Sequence, residues 1–217
     1  MLTLKPLWIE SMISLNNNPS ENKPFAEVIE SSLDHFLAQS WQWDIFPSFG
    51  SLVTVKTKKR TLIAVVHHIQ TGSMDPNRYP FAYQKTEEEL MAEQPQIFSF
   101  LKTTFSCLVL GYQEKGAIHY TLSPEPPKIH SFIQHADHDI MKSFFYQDIY
   151  LHILFAAINQ IQNIDELLLA MLKQQKNLGI LSEQKLHQLI NTFSLLTAND
   201  YRRLKLFLQR TQNIINS

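Results

Sequence analysis

Between Phe49 and His130 the chain alternates runs of β-branched residues with short polar turns and then halts on Pro124, Pro126 and Pro127. Few architectures accept such a pattern. SLVTVKT (51–57) and RTLIAVVHHI (60–69) flank the polar tip Lys58, Lys59 and Arg60, as the two strands of a hairpin do. TFSCLVLGYQ (104–113) and AIHYTLS (117–123) flank Glu114, Lys115 and Gly116 in the same way. Proline fixes φ and restricts the residue before it, so the three prolines stiffen the exit in an extended conformation. The stretch reads as a small β-barrel with a proline stop. The preceding segment FAEVIESSLDHFLAQSW (25–41) fits two patterns: Phe25, Val28, Ile29, Leu33, Phe36 and Leu37 suit a helical face, while FAEVIES and HFLAQSW alternate as strands do.

Beyond the prolines the period changes. Ile140, Met141, Phe144, Phe145, Ile149, Leu154, Phe155 and Ile158 follow helical spacing. Asn163 with Glu166 resembles a capping box opening a helix that Gly179 can end. Ser182 opens another, and Thr197 with Asp200 introduces the last. The expectation is an α+β chain: a loosely attached arm over 1–23, a six-stranded barrel over 24–128, and three or four packed helices over 129–217.

The barrel segment resembles the HAS-barrel, the β-barrel that precedes the motor domain in HerA-type DNA translocases and in the catalytic-ring subunits of rotary ATP synthases. The resemblance implies that 25–41 forms two short strands joined by a tight turn around Ser32 to Asp34. It also implies a barrel that sits at the crown of a ring and contacts neighbouring subunits or partner proteins. It covers the barrel alone, and the ATPase activity of those families does not come with it. A phosphate-cradling loop needs G-x-x-x-x-G-K-[ST], yet none of the five glycines (Gly50, Gly72, Gly111, Gly116 and Gly179) precedes Lys and then Ser or Thr, or belongs to G-x-G-x-x-G.

Composition narrows the function further. The 19 basic and 20 acidic residues leave a net charge of -1, so no global field draws this chain to nucleic acid or anionic lipid. A single cysteine, Cys107, forms no intramolecular disulfide and no cysteine-based zinc site, which predicts a reducing, cytoplasmic setting. The amino terminus lacks the continuous apolar core of a signal peptide. The longest apolar run, Tyr150 to Ile158, is interrupted by His152 and falls far short of the roughly 20 residues a bilayer crossing needs, which predicts no membrane insertion.

Catalytic constellations are weak. His130, His135 and His138, beside Asp137 and Asp139, are the only metal-ligand candidates, and their spacing matches no strong zinc signature. The simpler reading is a solvated linker. His67 and His68, adjacent in a strand, point to opposite faces. Cys107 lies among Phe105, Leu108, Val109 and Leu110 and reads as a small buried hydrophobe. Glu87, Glu88 and Glu89 read as the solvated first turn of a short helix. Lys56, Lys58, Lys59 and Arg60 form one basic tip, and Arg202, Arg203, Lys205 and Arg210 populate the last helix. Neither interleaves aromatic residues as a single-strand groove does, which argues against nucleic acid.

The excursion Thr71 to Tyr83 is the stronger candidate. Gly72, Pro76, Asn77 and Pro80 forbid a regular element there, and Asp75, Arg78, Tyr79, Phe81 and Tyr83 are of the types that carry interface energy. Two readings stand: these residues bind a partner, or their rings plug the barrel end. The sequence predicts a non-catalytic interaction or assembly protein without cofactor or metal, which associates with its own copies or docks as an adaptor on a ring-forming ATPase. The alternatives are a DNA-processing accessory that positions a nuclease or translocase, and a metal-dependent hydrolase using the histidine cluster.

Overall fold

The computed structural model describes residues 23–75, 77 and 80–216. Almost all of the expected arm over 1–23 lies outside them. Seven strands appear among the described residues: β1 (Ala26–Ser31), β2 (His35–Ser40), β3 (Leu52–Lys56), β4 (Thr61–Ser73), β5 (Leu101–Glu114), β6 (Ala117–His119) and β7 (Phe132–His135). Six of them close a ring in the order β2-β1-β7-β3-β4-β5, and β5 returns to β2; every pairing is antiparallel. The segment 25–41 is thus a pair of strands around a turn at Ser32 to Asp34.

Six strands were expected, but the sixth is a different one. AIHYTLS contributes only β6, which pairs with β5 outside the ring. The closing strand is β7, beyond the prolines, in the segment that reads as a polar linker entering a helix. It inserts between β1 and β3, with Ala26 facing Ile133 and Val53 facing His135. The proline segment brings the chain back alongside β1: Ser31 donates its hydroxyl to the Pro127 carbonyl, and His130 N donates to Val28 O at 2.9 Å.

The middle strands read as continuous apolar runs because both of their faces are buried. Val53, Val55, Leu62, Ala64, Val66, Phe105, Cys107 and Val109 point inward and fill the barrel with Val28, Phe36 and Ile133. Their neighbours Leu52, Ile63, Val65, Leu108 and Leu110 point outward and meet the helices. Each such aliphatic side chain is worth about 1.5–3 kcal/mol when fully buried, so the barrel wall and the helical layer stabilise one another.

The helical layer comprises α2 (His138–Phe144), α3 (Ile149–Ala156), α4 (Ile164–Asn177), α5 (Glu183–Leu196) and α6 (Tyr201–Asn216); α1 (Glu87–Glu93) belongs to the excursion between β4 and β5. Five helices thus follow the barrel where three or four were expected, because the chain breaks between α2 and α3 at Phe145–Asp148. Tyr150, Leu151 and Leu154 of α3 are buried in one core cluster with Phe144, Leu168 and Met171. Asn163 caps α4 by accepting from Asp165 N and Glu166 N, but Glu166 turns its carboxylate to Arg210 instead of completing a capping box. Gly179, at φ 68°, follows the end of α4 in the left-handed conformation that glycine tolerates best. Ser182 accepts from Lys185 N at the start of α5, and Asp200, not Thr197, accepts from Arg203 N at the start of α6. Among the described residues, no helix is long and apolar enough to cross a membrane.

Candidate functional site

β4 and β5 are the longest strands, and their length makes the site. β2 leaves β5 after Gln39↔Thr104, and β3 leaves β4 after Leu52↔Val65. The ladder between β4 and β5 continues through Thr71↔Thr103 and Gly72↔Lys102 to Ser73↔Leu101. A two-stranded ribbon therefore runs past the barrel rim. Cross-strand hydroxyls of Thr71 and Thr103 meet at 2.7 Å, and Thr103, fully buried, donates to the Trp43 carbonyl. The Trp43 ring stacks on Phe98 at 5.6 Å, which ties the far side of the ribbon to the loop after β2.

The ribbon carries an arm, described over residues 74, 75, 77 and 80–100. Met74 N donates to Phe100 O at 2.7 Å and closes the base of the arm. Asp75 accepts from Asn77 N at 2.9 Å, and Thr86 and Glu89 form a reciprocal capping box that starts α1. Such local hydrogen bonds order a segment without a core. Neither α1 nor the 3-10 turn Pro95–Phe100 buries a single residue, although Met74, Met91 and Phe100 are large and apolar.

Of the residues predicted to bind a partner, Asp75 lines a groove of about 560 Å³ between the arm and the bare side of the barrel. Ile29, Leu37 and Thr104 form its wall, and Pro80 and Lys102 its arm side. Phe81 lies against Tyr83 in a tilted ring contact at 4.2 Å and is 68% exposed. The ring of Phe81 therefore does not plug the barrel, whose interior is already filled by Phe36, Phe105 and the valines. Arg78 and Tyr79 lie outside the described residues.

At the other end of the same ribbon the turns β3–β4 and β5–β6 come together. Lys56, Lys58, Lys59 and Arg60 from one, and Lys115 from the other, surround an open concavity of about 290 Å³. Lys115 joins the basic tip because its turn, at φ 51°, folds back beside the first. Arg60 bonds Glu114 at 3.1 Å and lies 5.4 Å over the Tyr112 ring, so the guanidinium is held while the lysines stay exposed.

The second basic stretch has a structural task. Arg203 donates to both carboxylate oxygens of Asp165, at 3.0 and 2.6 Å, and Arg210 pairs with Glu166 at 2.6 Å. These ion pairs fasten α6 to α4. They also hold both guanidinium groups firmly charged, with hydrogen bonds to the carboxylates as the leading cause.

The three candidate histidines take three different partners. His130 bonds Glu27 at 3.1 Å, His135 stacks on Phe25 at 4.6 Å, and His138 approaches the Leu178 carbonyl at 3.4 Å. Burial lowers the pKa of His135 from its ordinary value. Among the described residues no group of three or more His, Cys, Asp or Glu side chains is arranged to hold a metal ion. Cys107 is fully buried inside the barrel, where desolvation pushes its thiol pKa well up and removes its nucleophilic character at neutral pH.

One feature escapes sequence reasoning altogether. A cleft of about 530 Å³ opens where α3 crosses β5, with Leu122 and Ile149 exposed at its mouth and Asp34, His152 and Gln160 as polar lining. Asp34 accepts from Gln160 at 3.0 Å and meets His35 at 2.9 Å; the Gln160 hydrogen bond leads in lowering its pKa. The lining comes from segments far apart in the chain, so no local pattern announces it. No family model matches this chain, and no curated protein sequence matches it.

Proposed function

We propose that this chain is a non-catalytic protein-interaction module of HAS-barrel type, which self-associates or docks as an adaptor on a ring-forming ATPase, and that its arm is the contact element. The observation that carries this reading is the arm itself. A long β-ribbon holds residues 80–100 outside the barrel, and neither of the short helical pieces there buries a residue, while Phe81, Met91 and Phe100 face solvent. Burying an exposed aromatic is favourable, and interface hot spots concentrate in such side chains. A ribbon that presents the exposed Phe81 ring, with Tyr83 against it, beside an open groove offers a partner both an anchor and a slot.

Replacing Phe81 and Tyr83 together by alanine tests the assignment, because neither packs into a core cluster and the two rings touch each other on the arm. Capture of partners from lysate by the tagged chain, after mild crosslinking, is expected to fall by about tenfold or more, while thermal unfolding stays unchanged. Capture at the wild-type level would remove the arm from the contact surface. Mass spectrometry of the captured species distinguishes an ATPase ring from copies of the chain itself.

A further inference from the structure

The two ends of the β4–β5 ribbon carry opposite charge. Around the Thr61↔Gln113 end, Lys56, Lys58, Lys59, Arg60 and Lys115 outnumber the single carboxylate of Glu114. Between Ser73 and Leu101, which close the other end, the sequence holds Asp75, Glu87, Glu88, Glu89 and Glu93 against Arg78 and Lys85. Thirteen strand residues separate the ends, a path of about 40 Å at 3.3 Å per residue. Since the whole chain carries a net charge of only -1, the separation is a property of placement and not of composition.

We propose that the basic concavity at the β3–β4 and β5–β6 turns is a docking site for the acidic arm of a second copy, so that copies join head to tail. The proposal rests on the reading of the arm as a contact element and names its partner. An arm cannot fold back into its own concavity, because the antiparallel ladder holds the two at opposite ends. The complement has to come from another molecule, and each copy supplies one. The concavity is open and polar, and Lys56, Lys58, Lys59 and Lys115 are exposed around it, so it suits carboxylates presented on a protruding helix. Nucleic acid fits less well, because Tyr112, the ring beside this concavity, already lies under Arg60 and stacks on His119 at 4.9 Å. A head-to-tail contact uses two different surfaces and generates a closed ring or an open filament, depending on the rotation between copies. An interface made mainly of exposed charges forms fast and weakens with salt.

The test is charge exchange in the purified full chain, read by sedimentation velocity over a concentration series at low and high salt. Wild type is expected to form a concentration-dependent oligomer that dissociates as salt rises. Lys58→Glu with Lys59→Glu, and separately Glu87→Lys with Glu88→Lys, are each expected to weaken self-association by about tenfold or more. Mixing the two variants is expected to restore it, since each then presents the charge that the other lacks. All four positions are exposed, so unfolding does not confound the result, and the milder pair Glu87→Gln and Glu88→Gln checks the same direction. A mixture that stays monomeric overturns the proposal. So does a basic-end variant that associates normally but loses affinity for a short duplex or single-stranded oligonucleotide, which would make the concavity a phosphate site. A purified chain that stays monomeric while lysate capture still depends on Phe81 and Tyr83 overturns this inference alone and leaves the module reading in place.

Discussion

Asp148 occupies the break between α2 and α3, where burial raises its carboxyl pKa above the ordinary value despite Lys185 and a hydrogen bond to Thr192. Its folded form binds a proton more readily than its unfolded form. Stability contributed at this site is therefore greatest below the ordinary carboxylate pKa and declines as pH rises through the interval up to the raised value. Asp148→Asn removes that decline, because the amide keeps the shape without the charge. Urea titrations between about pH 4 and pH 7 are expected to show the variant gaining on wild type as pH rises. Equal pH profiles would place the raised proton elsewhere. Gly50 illustrates a second residue-level constraint: at φ 79° a side chain is strained there, and a Cβ would stand 2.7 Å from Cβ of Ala170 on α4. The barrel and the helical layer approach that closely only because the residue is glycine.

At the scale of elements, Arg203 is, with Arg210, one of the groups that fasten α6 to α4. Its guanidinium bonds Asp165 in a bidentate pair and lies 5.7 Å over the Phe193 ring and 5.9 Å over Phe155. Phe193 in turn stacks on Phe207 of α6 at 4.2 Å. Arg203→Ala is expected to cost about 1–2 kcal/mol in chemical denaturation, and Arg203→Lys to recover only part of it, since an ammonium cannot make the planar paired contact. β3, β4 and β5 were legible in the sequence because burial on both faces writes continuous apolar runs. β7 was not, because in FIQH only Ile133 points into the core, while Phe132 is exposed and the His135 ring lies against Phe25 at the barrel surface. Its strand character comes from β1 and β3, which lie far away in sequence, and not from its own residues. The break at Phe145–Asp148 was hidden for a related reason: Tyr146 is 74% exposed at a position where the helical spacing suggested continuity. The excursion could be located from Pro76, Asn77 and Pro80, but it starts later than expected: Gly72, read as barring a regular element, pairs with Lys102 inside β4, because β4 and β5 outrun their neighbours.

For the whole molecule, the arm is joined to the rest by little more than the ribbon and the Phe98–Trp43 stack. Neither short helical piece of the arm buries a residue, and the base of the arm is already closed by Met74 and Phe100. Replacing residues 75–99 by a two-residue Asn-Gly turn is expected to leave the thermal midpoint within a few degrees of wild type, because hairpin turns of this kind suit a twisted ribbon. A large fall measured by calorimetry would show that the arm supports the barrel after all.

The position of β7 also bears on how the chain is made. β1 finds its outer neighbour only when Ile133 arrives opposite Ala26, so during synthesis the barrel stays an open sheet with two bare edges until β7 has left the ribosome. Closure then depends on contacts between the two ends of the barrel sequence, which are slow to form. The nascent chain is most exposed to edge-to-edge aggregation before the prolines have turned it back alongside β1.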